Sequence, residues 1–231
     1  MIGVQLADVA GTGTTADFNK LLATTCTPGT YGDGSGDWKA TSPMIQVLQA
    51  NGKNYSYFYL VDDADDGFGN YTATGWVDSE GFNIDSTAAL NLSKGFWFKS
   101  NTAGTLTCAG QVLAISSFER NVPGGQFEIV ANPYPVALNL DAATVAGFTP
   151  GTYGDGSGDW KASSPMIQVL QENGKNYSYY YLINDADDGN GNYTATGWVD
   201  SEGFNVSGTQ VAVGQAFWIK SATAGTFTFG L

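Results

Sequence analysis

The sequence predicts an all-β protein built as two tandem, duplicated β-sandwich-like domains. Three observations predict it. Residues 27–84 recur as residues 149–206 at an offset of 122, strand-like segments alternate with turn signals throughout, and the composition is rich in Gly and poor in charge.

The duplication is the first of these to establish, since a long internal period decides the domain plan. Over 58 aligned positions only seven differ: Thr41/Ser163, Ala50/Glu172, Phe58/Tyr180, Val61/Ile183, Asp62/Asn184, Phe68/Asn190 and Ile84/Val206. Past this block the copies drift by one residue and resume as GFWFKSNTAGTLTC (95–108) and QAFWIKSATAGTFTF (215–229), at an offset of 121. Upstream, ADFNKLLATTC (16–26) matches LNLDAATVAGF (138–148) loosely. The units are residues 1–110 and 126–231, with 111–125 between them. A period above 100 residues makes each unit a domain rather than one turn of a solenoid.

Within a unit, MIQVLQ (44–49) and NYSYFYLV (54–61) flank Asn51-Gly52, a pair that supplies the positive φ of a tight hairpin turn. NYTATGWVD (70–78) is rich in Thr and aromatics, and GFWFKS (95–100) with GTLTC (104–108) reads as a second hairpin. Ile2, Val4 and Leu6 alternate with small or polar residues, as do Phe127, Ile129 and Ala131. ADFNKLLA (16–23) is the one helical hint. Six to eight short strands per unit suggest a sandwich.

Composition excludes several classes of function. The net charge is −13, from 9 basic and 22 acidic residues, which repels phosphate backbones and argues against nucleic acid as a partner. The chain has no His, which removes the commonest general base and the Ser-His and Cys-His nucleophile pairs. No apolar run is long enough to span a bilayer. The start, MIGVQLADVAGTG, lacks the basic and long apolar regions of a secretory signal. Gly, Thr, Asn and Tyr at low charge are typical of extracellular, turn-rich β proteins.

The two cysteines invite pairing. Cys26 aligns with Phe148 and Cys108 with Phe229, so both replace Phe at matched places. If those sites touch, Cys26–Cys108 is a disulfide and the compartment is oxidising. Two independent buried thiols are the alternative.

Asp62-Asp63-Ala64-Asp65-Asp66-Gly67 recurs as Asn184-Asp185-Ala186-Asp187-Asp188-Gly189. Alternating carboxylates before Gly are able to wrap Ca²⁺, which takes six to eight oxygens. The candidate ligands are Asp63, Asp65, Asp66 and Asn70, with Asp185, Asp187, Asp188 and Asn192. The loop is not an EF-hand, and a solvated hairpin tip favours the same residues. Asp33 and Asp37, with Asp155 and Asp159, form a second acidic Gly-rich loop. A glycosidic acid pair is disfavoured, because no apolar pocket sequence surrounds these carboxylates.

Tyr55, Tyr57 and Tyr59 share one face of a strand, with Phe58 and Leu60 on the other. Tyr177, Tyr179 and Tyr181 repeat the row. It is suited to stacking on sugar rings or to packing against a neighbour. The six Trp read as core. Asn-x-Ser/Thr triplets at Asn54, Asn70, Asn176 and Asn192, and at Asn91 and Asn205, are weak glycosylation signals. The segment QVLAISSFERNVPGG (111–125) is too apolar for a passive linker. It is expected to add a strand to the first unit, which would leave the same edge of the second unit open for another chain.

The motifs NPYP (132–135), GQAFWIKS (214–221) with AGTFTF (224–229), and GFWFKS with AGTLTC, resemble those of tandem β modules in secreted bacterial surface proteins. The first unit lacks the NPYP element. The resemblance implies surface location and β architecture, with no assigned chemistry. The expected function is a non-enzymatic extracellular structural protein. It would self-associate into a filament, pilus-like fibre or surface layer through strand pairing and aromatic packing, with Ca²⁺ as a candidate cofactor. The alternative is a carbohydrate-binding or adhesive module with glycans as partners.

Overall fold

Asn51 and Gly52 organise the first hairpin as their chemistry dictates. Gly52 has φ 64°, and the Asn51 side-chain carbonyl accepts from the backbone N–H groups of Lys53 and Asn54 at 3.0 and 2.9 Å. The strands on either side, Met44–Leu48 and Tyr55–Asp65, then pair from Leu48 opposite Tyr55 to Met44 opposite Tyr59. The second repeat builds the same ladder from Leu170 opposite Tyr177 to Met166 opposite Tyr181.

The computed structural model describes residues 6–7, 15–17, 21–33, 37–65, 68–84, 89–91, 95–108, 111–112, 116–155, 159–187, 192–206 and 208–230. In the first repeat the strands are β1 (Leu6–Ala7), β2 (Thr15–Asp17), β3 (Leu21–Thr24), β4 (Met44–Leu48), β5 (Tyr55–Asp65), β6 (Tyr71–Val77), β7 (Ala89–Asn91), β8 (Trp97–Lys99), β9 (Thr105–Cys108) and β10 (Gln111–Val112). They are followed by β11 (Ser117–Val122), β12 (Phe127–Ala131), β13 (Leu138–Asn139), β14 (Thr144–Ala146), β15 (Met166–Leu170), β16 (Tyr177–Asp187), β17 (Tyr193–Val199), β18 (Gln210–Val211), β19 (Ala216–Lys220) and β20 (Gly225–Gly230). Two one-turn helices, α1 (Trp38–Thr41) and α2 (Trp160–Ser163), precede β4 and β15. The chain is all-β, as expected. None of its described helices is long and apolar enough to cross a membrane.

The main sheets are β6-β5-β4-β8 and β12-β19-β15-β16-β17, and a third has the order β11-β20-β14. The last two form a sandwich. Because side chains alternate along a strand, Val130, Ile167, Leu182, Trp198, Phe217 and Ile219 all point from the five-stranded sheet into one core. Val122, Phe227 and Phe229 meet them from the three-stranded sheet. Phe227 and Phe229 contact edge to face, with ring centroids 4.7 Å apart.

Two expectations are corrected here. The described parts of the segment ADFNKLLA are strands rather than helix: Ala16 and Asp17 belong to Thr15–Asp17, Leu21–Ala23 belong to Leu21–Thr24, and the latter pairs with β9, while residues 18–20 lie outside the described residues. Eight residues are too few for a helix to hold on its own propensity, so the pairing with the Thr-rich β9 decides. The connecting segment does not serve the first repeat alone. Gln111–Val112 pairs with β1, but β11 pairs along its whole length with β20 of the second repeat. The edge of β20 expected to be open is therefore filled from within the chain. Val122 and Phe118 are the reason, since they join the second core.

The strand pair β11 and β12 also carries an ion pair that the sequence did not announce. Arg120 and Glu128 share the inward faces of their strands, alternating with Val122 and Val130, and their side chains join inside the sandwich. Glu128 is buried.

Candidate functional site

The acidic loops fold around a glycine. A Cβ on Gly29 would lie 2.1 Å from the Ser42 hydroxyl and 3.0 Å from the Trp38 carbonyl, so only Gly fits. This close approach lets Gly29 bridge β5, donating to the Leu60 carbonyl at 3.1 Å and accepting from the Asp62 N–H at 2.9 Å. The following turn then meets Asp63, whose two carboxylate oxygens accept from the N–H groups of Tyr31 and Gly32. Asp185 accepts from Tyr153 and Gly154 in the same way, at 2.7 and 2.6 Å. These two aspartates hold a turn of their own chain.

The other candidate ligands that are described make no cluster with them. Asp65 accepts from the Gly69 N–H, and Asn70 and Asn192 lie exposed at the starts of β6 and β17. Asp66 and Asp188, and the side chain of Asp187, lie outside the described residues. Among the described residues no group of three or more His, Cys, Asp or Glu is placed to hold a metal. Of the second acidic loop, Asp37 and Asp159 stand just before α1 and α2 without capping them through their side chains.

The cysteines are far apart. On the β3–β9 ladder Leu21 faces Cys108, whereas Cys26 follows Thr24 at the opposite end, where the Thr27 N–H donates to the Thr102 hydroxyl. At about 3.3 Å per residue that separates the two by on the order of 15 Å, beyond the reach of a disulfide. Cys26 is a buried free thiol. The matched phenylalanines explain the error: Phe148 packs over Gly225, while Phe229 packs on Phe217 and Phe227. Both residues serve one core without forming a contact pair.

The tyrosine rows have three fates. At one end Tyr59 lies buried under Trp38, with centroids 5.1 Å apart, and Trp38 in turn meets Tyr31 at 5.0 Å. Lys39 covers the Trp38 ring. Tyr181, Trp160, Tyr153 and Lys161 repeat this stack. In the middle Tyr57 and Tyr179 stay open, at 37% and 38% exposure. At the other end the rows meet across the repeats. Tyr55 packs edge to face on Trp218 at 6.4 Å, and Tyr177 packs on Trp97 at 6.5 Å. Trp97 and Trp218 are equivalent under the repeat, as are Tyr55 and Tyr177. The contact is therefore reciprocal, the pattern of a two-fold interface drawn within one chain. Leu48, Ile129, Ala131 and Ala216 close beneath it as a small apolar cluster. The sequence signal was the recurrence of the Tyr row at an offset of 122 and of the FW strand at 121, but the partner of each row was not readable.

Burial raises the pKa of Tyr55, Tyr59, Tyr134, Tyr177 and Tyr181 above the ordinary value of 10.0. Neighbouring tyrosines add to this, Tyr57 and Tyr177 at Tyr55 and Tyr179 at Tyr177, while a hydrogen bond with Trp218 opposes it at Tyr177. An acid whose folded pKa is raised holds its proton more tightly folded than unfolded. Its stabilisation is complete below the unfolded pKa and is lost as pH rises through the folded one. The urea midpoint is expected to fall between about pH 9 and about pH 11. An unchanged midpoint over that interval would refute it.

A cleft of about 580 Å³ opens between the edge strands β14 and β17, floored by Leu182, Trp198 and Val145 and rimmed by Asp141, Thr144 and Thr196. A second, of about 330 Å³, lies at the joint between the repeats, lined by Gly52, Lys53, Tyr55, Phe127, Gln168 and Trp218. No family model, curated protein or solved structure matches the chain.

Proposed function

We propose that the chain is a non-enzymatic extracellular structural protein whose two repeats are β-sandwich domains, and that it assembles into a filament or surface layer through aromatic packing between copies. One observation carries this reading. Large aromatic side chains stand exposed at matched positions of both repeats, Phe82 and Phe204 at 67% and 66%. Each stands beside a backbone glycine, Gly81 or Gly203, that is covered by the ring of Tyr31 or Tyr153. Two equal patches make the chain bivalent, and a bivalent subunit grows open chains rather than closed pairs. The reciprocal Tyr–Trp joint supports the reading from inside the molecule, because the same kind of aromatic contact already holds one repeat to the other. The extracellular assignment rests on composition and on the resemblance to surface modules; the free thiol of Cys26 lends it nothing.

Sedimentation velocity and electron microscopy test the proposal. The wild-type chain is expected to form ordered, concentration-dependent assemblies, and Phe82→Ser with Phe204→Ser to abolish them while the circular dichroism spectrum is retained. A wild-type protein that stays monomeric at every concentration overturns it, as does a double variant that assembles like the wild type.

A further inference from the structure

The joint between the repeats is reciprocal in its rings but not in its walls. On one side the Asn51-Gly52 turn is pressed against the second repeat: a Cβ on Gly52 would lie 2.7 Å from the Gln126 side-chain carbonyl and 2.9 Å from the Phe127 carbonyl. On the other side a Cβ on Gly174 would meet nothing within 4 Å among the described residues. The difference is β12. It lies against β19 and carries Phe127 over Trp218, with centroids 5.7 Å apart, whereas β8 has β4 as its sole sheet neighbour among the described residues. Among the described residues the cleft beside Gly52 is thus walled by β12.

We infer that this cleft is a binding site for a neutral sugar ring. Its walls are the rings of Tyr55, Phe127 and Trp218, suited to the C–H faces of a pyranose. Its polar groups are the Gln168 amide and the Lys53 ammonium, both able to donate to hydroxyl oxygens. No carboxylate lines the cleft, so nothing there recognises a cation. The chain's net charge of −13 opposes an anion. What remains is an uncharged ligand with apolar faces and many hydroxyls. Its volume, about 330 Å³, lies at the small end of ligand sites, which favour such domain junctions. The open tyrosines Tyr57 and Tyr179 are separate from it, and the site does not depend on whether the chain polymerises.

The duplication supplies the controls. The intact chain is titrated calorimetrically with cellotetraose, mannotetraose, galactotetraose and, as a charged comparison, tetragalacturonate. At least one neutral tetrasaccharide is expected to bind. Lys53→Ala and Gln168→Ala, each removing one hydrogen bond, are expected to weaken it by roughly three- to tenfold. Lys175→Ala and Gln46→Ala, the same residues of the opposite repeat, are expected to leave affinity unchanged. Lys53 is exposed, so its loss does not threaten the fold. The inference fails if no neutral tetrasaccharide binds, if the uronate alone binds, or if the two pairs of variants behave alike.

Discussion

Replacing Arg120 with Met is expected to destabilise the chain by about 3–5 kcal/mol, the usual cost of leaving one half of a buried ion pair behind. Arg120 is the one arginine in the sequence, and no other cation is placed on the inward faces of β11 and β12 to answer Glu128. The Glu128 side chain is 6% exposed, against 20% for Arg120, so the stranded carboxylate is the costlier remainder. Arg120→Met with Glu128→Leu should recover most of the loss, because an apolar pair fills the same space without desolvating a charge. A urea-denaturation double-mutant cycle reads both effects. If the single replacement costs less than about 1 kcal/mol, the pair behaves as a solvated surface bridge and the account is wrong. The effect should fall on the second repeat, since the pair binds the donated strand β11 to β12 around Pro123-Gly124-Gly125.

Asn132→Ala is expected to cost about 2–4 kcal/mol, because it strands buried and part-buried backbone groups at once. Asn132 is fully buried. Its amide donates to the Val136 carbonyl at 2.8 Å and to those of Val211 and Ala212 at 3.3 Å, and its carbonyl accepts from the Tyr134 N–H at 2.9 Å. Tyr134, also buried, then reaches the Phe229 carbonyl at 3.4 Å. This gives the NPYP segment a physical meaning: the Asn ties the end of β12 to the β18 region, and the Tyr anchors the loop over β20. Asn132→Asp should be no better than Ala, since a carboxylate cannot donate to three carbonyls. Thermal melts of the three proteins decide it, and an Asp variant as stable as the wild type would remove the network from the argument.

Much of the local structure was legible in residue order. The Asn-Gly turns and the alternation of Tyr55, Tyr57 and Tyr59 against Phe58 and Leu60 follow from short-range rules. Each needs only a turn residue able to take positive φ or a period of two. The expected hairpin of the FW and GT segments, by contrast, does not form: both are strands, but β8 pairs with β4 and β9 with β3, and β19 and β20 likewise join different sheets. The one-turn helices of Trp38 and Trp160 were missed, because a single turn has no periodicity to detect and is held by burying its Trp.

The candidate site was less legible, for a different reason. Alternation tells which residues share a face but not what covers it, so a tyrosine row reads alike whether it meets solvent, a tryptophan or another repeat. Likewise an aspartate in a Gly-rich run reads as a cation ligand until a backbone turn is found donating to it, as at Asp63 and Asp185. Equivalence under a repeat places two residues in one fold without making them touch, which is why Cys26 and Cys108 do not pair.

The sequence by itself determined most of the strands, the Asn-Gly turns and the duplication, since these depend on neighbours a few residues away. Only the tertiary structure decided that β11 completes the second repeat rather than the first, that the tyrosine rows close against Trp97 and Trp218, and that β12 walls the Gly52 turn. Those outcomes depend on which distant apolar face each strand buries, and that competition is settled by long-range packing.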